Sequence, residues 1–175
     1  MSISPGGMMT FTINGVRLEV EAPPETSLID ILREKLGLTA AKEACGIGRC
    51  GACNVLMNGN LVNACLLSAW QAEGAEIVSL EGLDAFPETR LLRTALAEEN
   101  AFQCGYCAPG FTMALTALFR EHPEACVNDI RAALEGNICR CTGYHSIIRG
   151  ALAASKALAA SASSGDIDGD HHPQQ

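Results

Sequence analysis

Ala44-Cys45-Gly46-Ile47-Gly48-Arg49-Cys50-Gly51-Ala52-Cys53, followed after a gap of eleven residues by Cys65, is the stretch on which the reading of this chain turns. Its first three cysteines, spaced x4 and then x2, have the plant-type pattern for a [2Fe–2S] cluster. Two irons bridged by two sulfides need four thiolates around a compact core. Gly46, Gly48 and Gly51 let the backbone wrap closely and aim N–H groups at sulfur without Cβ clashes, and such bonds help to set the redox potential. A structural zinc site is the alternative, although zinc favours two C-x2-C pairs. Residues 46–51 also spell G-x-G-x-x-G, the dinucleotide fingerprint. They follow a helix-like Ala40 to Ala44 rather than a strand, and lead into a strand rather than a helix. Neither a flavin nor a nicotinamide nucleotide is expected on this chain.

Outward from this loop, the flanking residues alternate with a period of two. From Met9 to Glu21, Phe11 and Ile13, then Val16, Leu18 and Val20, surround an Asn14-Gly15 pair, which predicts a hairpin. Val55 to Val62 repeats the pattern about Asn58-Gly59. Between them, after Pro23-Pro24, Thr26 or Ser27 caps a helix with Leu28, Ile29, Ile31, Leu32 and Leu36 on helical spacing and Gly37 at its stop. Ile77-Val78 reads as a last strand and the Gly82 region as a linker. From about Pro87 the period becomes 3.6, with apolar faces around Leu92 and Leu96, Met113 and Leu115, Ile130 and Leu134, and Ile147 and Ala151, so four short helices are expected. The tail from Ser161 to Gln175, rich in Ser, Gly and Asp, is expected to be disordered.

The helical half carries Cys104-x2-Cys107-x31-Cys139-x1-Cys141. Pro109 belongs in a first helical turn, so Cys104 and Cys107 are expected at a helix start, where the dipole favours thiolate. Residues i and i+2 of a helix face nearly opposite ways. Cys139 and Cys141 therefore share a metal only if Ile138 to Thr142 has left the helix, and Gly136 and Gly143 bracket that stretch. Taken alone this set is open to zinc; beside the first it reads as a second iron–sulfur site.

Composition narrows the rest. The 175 residues are 48% apolar, enough for one domain or two small ones, and 12 Lys and Arg against 20 Asp and Glu give a net charge of −8 with no basic face for nucleic acid. The N-terminus has no signal-peptide pattern and no run is long enough to span a membrane, so a cytoplasmic location is expected. Nine cysteines in a reducing compartment point to metal rather than disulfides. Cys126 has no partner at ligand spacing and reads as a small apolar residue near a helix start. His145 reads as a surface histidine or a contact to a partner, His122, His171 and His172 as solvated, and Glu98-Glu99 as a solvated helix face. No nucleophile or acid–base constellation emerges.

Taken together, Ala44 to Cys53, Asn63-Ala64-Cys65-Leu66, Gln103-Cys104-Gly105-Tyr106-Cys107-Ala108-Pro109-Gly110 and Gly136-Asn137-Ile138-Cys139-Arg140-Cys141-Thr142-Gly143-Tyr144 resemble the small iron–sulfur subunit of the xanthine oxidase family of molybdenum hydroxylases. The resemblance runs from about Thr10 to Leu158. It implies an α+β fold: a β-grasp plant-type ferredoxin domain over 9–83, a four-helix [2Fe–2S] domain over 84–160, and the tail 161–175. It implies two [2Fe–2S] clusters, one held by Cys45, Cys50, Cys53 and Cys65, the other by Cys104, Cys107, Cys139 and Cys141. It further implies a large molybdopterin-binding subunit and a medium FAD-binding subunit as partners, in a heterotrimer or a dimer of heterotrimers. Gln103 and Cys141 match the family positions that hydrogen-bond the pterin. The function implied is electron transfer within such an enzyme, with no substrate-transforming site on this chain. A free-standing two-cluster electron carrier, docking by its negative surface, is the alternative.

Overall fold

The computed structural model describes residues 6–164. Strands β1 (Gly7–Ile13) and β2 (Val16–Ala22) pair antiparallel in register from Gly7 opposite Ala22 to Ile13 opposite Val16. Their turn puts Asn14 at φ 52° and Gly15 at φ 81°, the paired left-handed residues that a type I′ turn requires. Strands β3 (Asn54–Met57) and β4 (Asn60–Asn63) form the second expected hairpin. β5 (Glu76–Val78) lies between the hairpins, parallel to β1 and antiparallel to β3, which gives one five-stranded sheet in the order β2-β1-β5-β3-β4. Asn14 secures this junction. Its Oδ1 accepts the Ser79 N–H at 2.9 Å, and its Nδ2 donates to the Ser79 hydroxyl at 3.0 Å.

Helix α1 (Leu28–Asp30) begins at Ser27, whose Oγ accepts the Asp30 N–H. It continues as a widened π-helical turn over Ile31–Lys35. Leu28, Ile29, Ile31 and Leu32 bury completely or nearly so against Phe11, Ile13, Val55 and Ile77, and each such burial stabilises the fold by about 1.5–3 kcal/mol. Two expectations need correction in this half. Ala40 to Ala44 is not helical; the segment is bent, and Arg33 holds it by donating to the Thr39 and Ala41 carbonyls, both at 2.9 Å. The region around Gly82 is a 3-10 helix, Leu80–Ala85, rather than an unstructured linker. A one-turn helix α2 (Ala69–Ala72), boxed by Ser68 and Gln71, was not foreseen, because four residues are too few to show a period.

Helices α3 (Pro87–Glu98), α4 (Ala108–Glu121), α5 (Val127–Ala133) and α6 (His145–Ser164) follow. Leu92, Leu96, Phe111, Leu115, Ile130, Ile147 and Ala151 form their shared core. Helix α6 extends past Ser161, where the tail was expected to begin, because its alanine-rich run continues the helix without a breaker. The remainder of that expected tail, 165–175, lies outside the described residues. The two halves are not independent. Leu56 of β3, Leu83 and Met113 of α4 are fully buried together, so α4 rests directly on the sheet.

Candidate metal centres

The loop from Cys45 to Cys53 turns on Gly46, Gly48 and Gly51, whose φ values of 65°, 68° and 67° are costly for any residue with a Cβ. That course leaves Cys45 Sγ ringed by N–H groups. The backbone of Ile47, Arg49 and Cys50 and the Cys50 thiol all donate to it, Arg49 at 3.3 Å, and the Ile47 bond does most to lower this thiol to about 6. Cys53 opens into β3, where burial pushes its thiol up to about 11, and it donates to the sulfur of Cys65, just beyond β4. Within the first set the sulfurs therefore act on one another, Cys50 on Cys45 and both Cys65 and Cys50 on Cys53.

The second set does the same. The expected break in the helix is present: Ile138 to Gly143 lies between α5 and α6 in a bent segment. Cys141 Sγ sits 3.6 Å from Cys104 Sγ and donates to it, which raises the Cys141 thiol. Cys107 caps α4 and pairs with Cys139. Burial, which alone would raise the Cys139 thiol, is outweighed by hydrogen bonds from the Thr142 hydroxyl at 3.1 Å, the Cys141 and Thr142 N–H groups and Cys107. Cys107 stands at the start of α4, as expected, and desolvation is the largest influence on its thiol, pushing it up to about 12.

This arrangement tests which metal the thiols suit. Metal–sulfur bonds of about 2.3 Å place two sulfurs on one tetrahedral centre about 3.8 Å apart, close to the Cys104–Cys141 spacing. Among the described residues no group of three or more His, Cys, Asp or Glu side chains is already drawn together as a metal site. A [2Fe–2S] cluster takes two thiolates on each iron, and the Cys104–Cys141 spacing fits one such pair.

Several supporting residues carried no role in the sequence reading. The Tyr144 hydroxyl accepts the Cys139 N–H and donates to the Asn137 carbonyl, both at 3.0 Å, while its ring packs 5.8 Å from Phe111. The Ile138 N–H donates to the Cys50 carbonyl at 3.0 Å, and the Tyr106 hydroxyl to the Glu43 carbonyl at 2.6 Å, tying the two cysteine loops together. A tyrosine in or beside each cysteine pair of the second set was the one available signal; which group it reaches depends on tertiary packing. Gln103 is exposed, one residue before Cys104, and so lies beside the Cys104–Cys141 pair.

The remaining expectations divide. Cys126 stands at the start of α5, as expected, and is exposed there; its N–H and thiol both donate to Asp129 and hold that carboxyl below its usual range. Glu99 is not simply solvated, since Arg149 of α6 pairs with it at 2.8 Å. His122 and His145 are exposed, and His171 and His172 lie outside the described residues. Among the described residues no helix is long and apolar enough to cross a membrane.

A protein with two iron–sulfur binding units is thereby defined, and comparison with known sequences agrees. Residues 11–79 match the 2Fe-2S iron-sulfur cluster binding domain, and residues 79–152 the [2Fe-2S] binding domain. The chain is 52% identical to a probable xanthine dehydrogenase subunit of Bacillus subtilis, over 80% of each chain. It is 40% identical to the nicotinate dehydrogenase small FeS subunit of Eubacterium barkeri, over 82% of this chain and 94% of that one. A chain of quinoline 2-oxidoreductase from Pseudomonas putida 86 superposes with a TM-score of 0.82 at 34% identity, covering 90% of this chain and 98% of that one. The chain belongs to the family of small [2Fe–2S] iron–sulfur subunits of the xanthine oxidase-type molybdenum hydroxylases.

Proposed function

We propose that this chain is the electron-transfer subunit of a multi-subunit molybdenum hydroxylase, with a β-grasp ferredoxin domain over 9–83 and a four-helix domain over 84–160. Cys45, Cys50, Cys53 and Cys65 would hold one cluster, and Cys104, Cys107, Cys139 and Cys141 the other. When bound, the two clusters supply a one-electron relay between a molybdopterin centre on a large subunit and FAD on a medium subunit. What carries this reading is the match of both halves of the chain to [2Fe-2S] binding families, together with the 3.6 Å approach of the Cys104 and Cys141 sulfurs.

The chain's own residues prepare those loops. N–H groups hold the Cys45 sulfur in its thiolate form near neutral pH, ready to bind metal without first losing a proton. The buried Cys53 thiol and the half-buried Cys107 thiol, both pushed up by desolvation, give up their protons to metal. Gln103, exposed beside the Cys104–Cys141 pair, offers both a donor and an acceptor to a pterin edge. Ile47, Leu66 and Ile138 are 66%, 59% and 54% exposed beside the cysteine loops, apolar surface that suits permanent subunit contacts. A reducing, cytoplasmic setting keeps the thiols available. Purification of the native complex tests this reading. Co-elution with a molybdenum-containing chain and about four irons per copy of this chain are expected. A monodisperse iron-loaded monomer would instead favour the free carrier, and a colourless zinc protein would refute both.

A further inference from the structure

The two cysteine loops meet backbone to backbone. Gly110, in the first turn of α4, faces Gly51 so closely that a Cβ on Gly110 would fall on the Gly51 carbonyl oxygen, with Gly51 C at 2.8 Å and Ala52 Cα at 3.0 Å. Gly51 is equally confined on another side. A Cβ there would lie 2.6 Å from both Asn137 Nδ2 and the Gly136 carbonyl oxygen, and its φ of 67° already excludes most side chains. Asn137 is 3% exposed, and its Nδ2 has no hydrogen-bond partner among the described residues. Its backbone is held by the Leu134 carbonyl and the Tyr144 hydroxyl, while its side-chain amide packs on Gly51. The Ile138 N–H to Cys50 carbonyl bond closes the contact.

Each part of this contact sits within three residues of a cysteine. Gly51 follows Cys50, Gly110 is three residues beyond Cys107, and Asn137 is two before Cys139. The Cys50–Gly51 step is thus wedged between the two segments that carry the second set, with backbone alone facing Gly110 and the Asn137 amide and Gly136 carbonyl on the other side. We propose that Gly51, Gly110 and Asn137 form a spacer that fixes the separation of the two metal centres, with Gly110 the positioning residue that sets it. This deepens the two-cluster reading and rests on it. Bringing an alanine at 110 to ordinary contact of about 3.5 Å requires the loop and helix to part by something on the order of 1 Å.

The test uses the complete iron-loaded complex carrying Gly110→Ala, compared with Gly150→Ala. The latter crowds Leu96 Cδ2 at 3.0 Å within the helical core and leaves the loop contact alone. Iron content and the count of paramagnetic species are measured first, then the low-temperature spin–spin splitting between the two reduced centres, which falls with the cube of their separation. Gly110→Ala is expected to keep both species and narrow the splitting, while Gly150→Ala keeps the native splitting. A native splitting in Gly110→Ala with both species present overturns the spacer. Fewer than two species in the wild type overturns the two-cluster reading instead. Should Gly110→Ala fail to assemble, hydrogen exchange of the Ile138 amide in the wild-type complex decides: protection matching β3 is expected, and exchange at the rate of an open loop overturns the proposal.

Discussion

Replacing Tyr144 by phenylalanine isolates one hydroxyl at the second cysteine loop. The ring stays on Phe111, and the left-handed backbone at φ 71° is unchanged in kind, so the loss is confined to two hydrogen bonds. They join the Cys139 N–H and the Asn137 carbonyl through a single oxygen, at 3.0 Å on each side. Asn137 is buried and Cys139 partly so, and water does not readily replace the lost hydroxyl. Leaving buried backbone groups unpaired costs about 1–3 kcal/mol. For a chain of this size each kcal/mol moves Tm by roughly 2–4 °C, so a loss of about 2 kcal/mol lowers Tm by roughly 4–8 °C. Thermal unfolding of the iron-loaded protein, followed by far-UV circular dichroism and by visible absorbance, measures it. The absorbance of the second centre is expected to bleach first, because the Asn137–Cys139 turn loosens before the sheet does. A Tm within about 1 °C of wild type refutes the bridging role of the hydroxyl.

Asn14→Ala removes the clamp on Ser79 and puts in a left-handed turn a residue that tolerates it less well than asparagine; it should cost about 1–2 kcal/mol by denaturant titration, and Asn14→Gly, which keeps the turn, less than Asn14→Ala. Cys65→Ser should remove one paramagnetic species and leave the other, whereas Cys126→Ser leaves iron content and both species intact; iron analysis with electron paramagnetic resonance separates the two. The Asp129 carboxyl is held below its ordinary range by the Cys126 thiol and N–H, so the protection it gives the first turn of α5 is present above the ordinary carboxylate pKa and is lost as pH falls through the lowered one. Hydrogen exchange in that turn should therefore differ between wild type and Asp129→Asn at pH 7, and the difference should close on acidification; a difference that persists unchanged at low pH would contradict the cap.

Local chemistry was legible wherever it depends on neighbours in the chain. The Asn14-Gly15 and Asn58-Gly59 turns follow from the need for two left-handed residues in succession, and both hairpins form as their alternation predicts. The spacing of the cysteines, and the helix break at Ile138 to Gly143, were equally plain, since residues i and i+2 of a helix cannot face one metal. Ala40 to Ala44 misled because helix-forming residues were drawn out of helix by Arg33, a contact that propensity does not register.

The order of residues thus determined the elements, their turns and which thiols are near one another along the chain. Packing alone decided the rest. β5 enters the sheet between β1 and β3, and α4 settles on β3 through Leu56, Leu83 and Met113. Burial pushes the Cys107 thiol up, an effect that only packing creates, because desolvation penalises the thiolate. The meeting of Gly51, Gly110 and Asn137 is likewise absent from any local pattern: those residues lie far apart in the chain, and only the docking of helix against loop makes a missing Cβ matter.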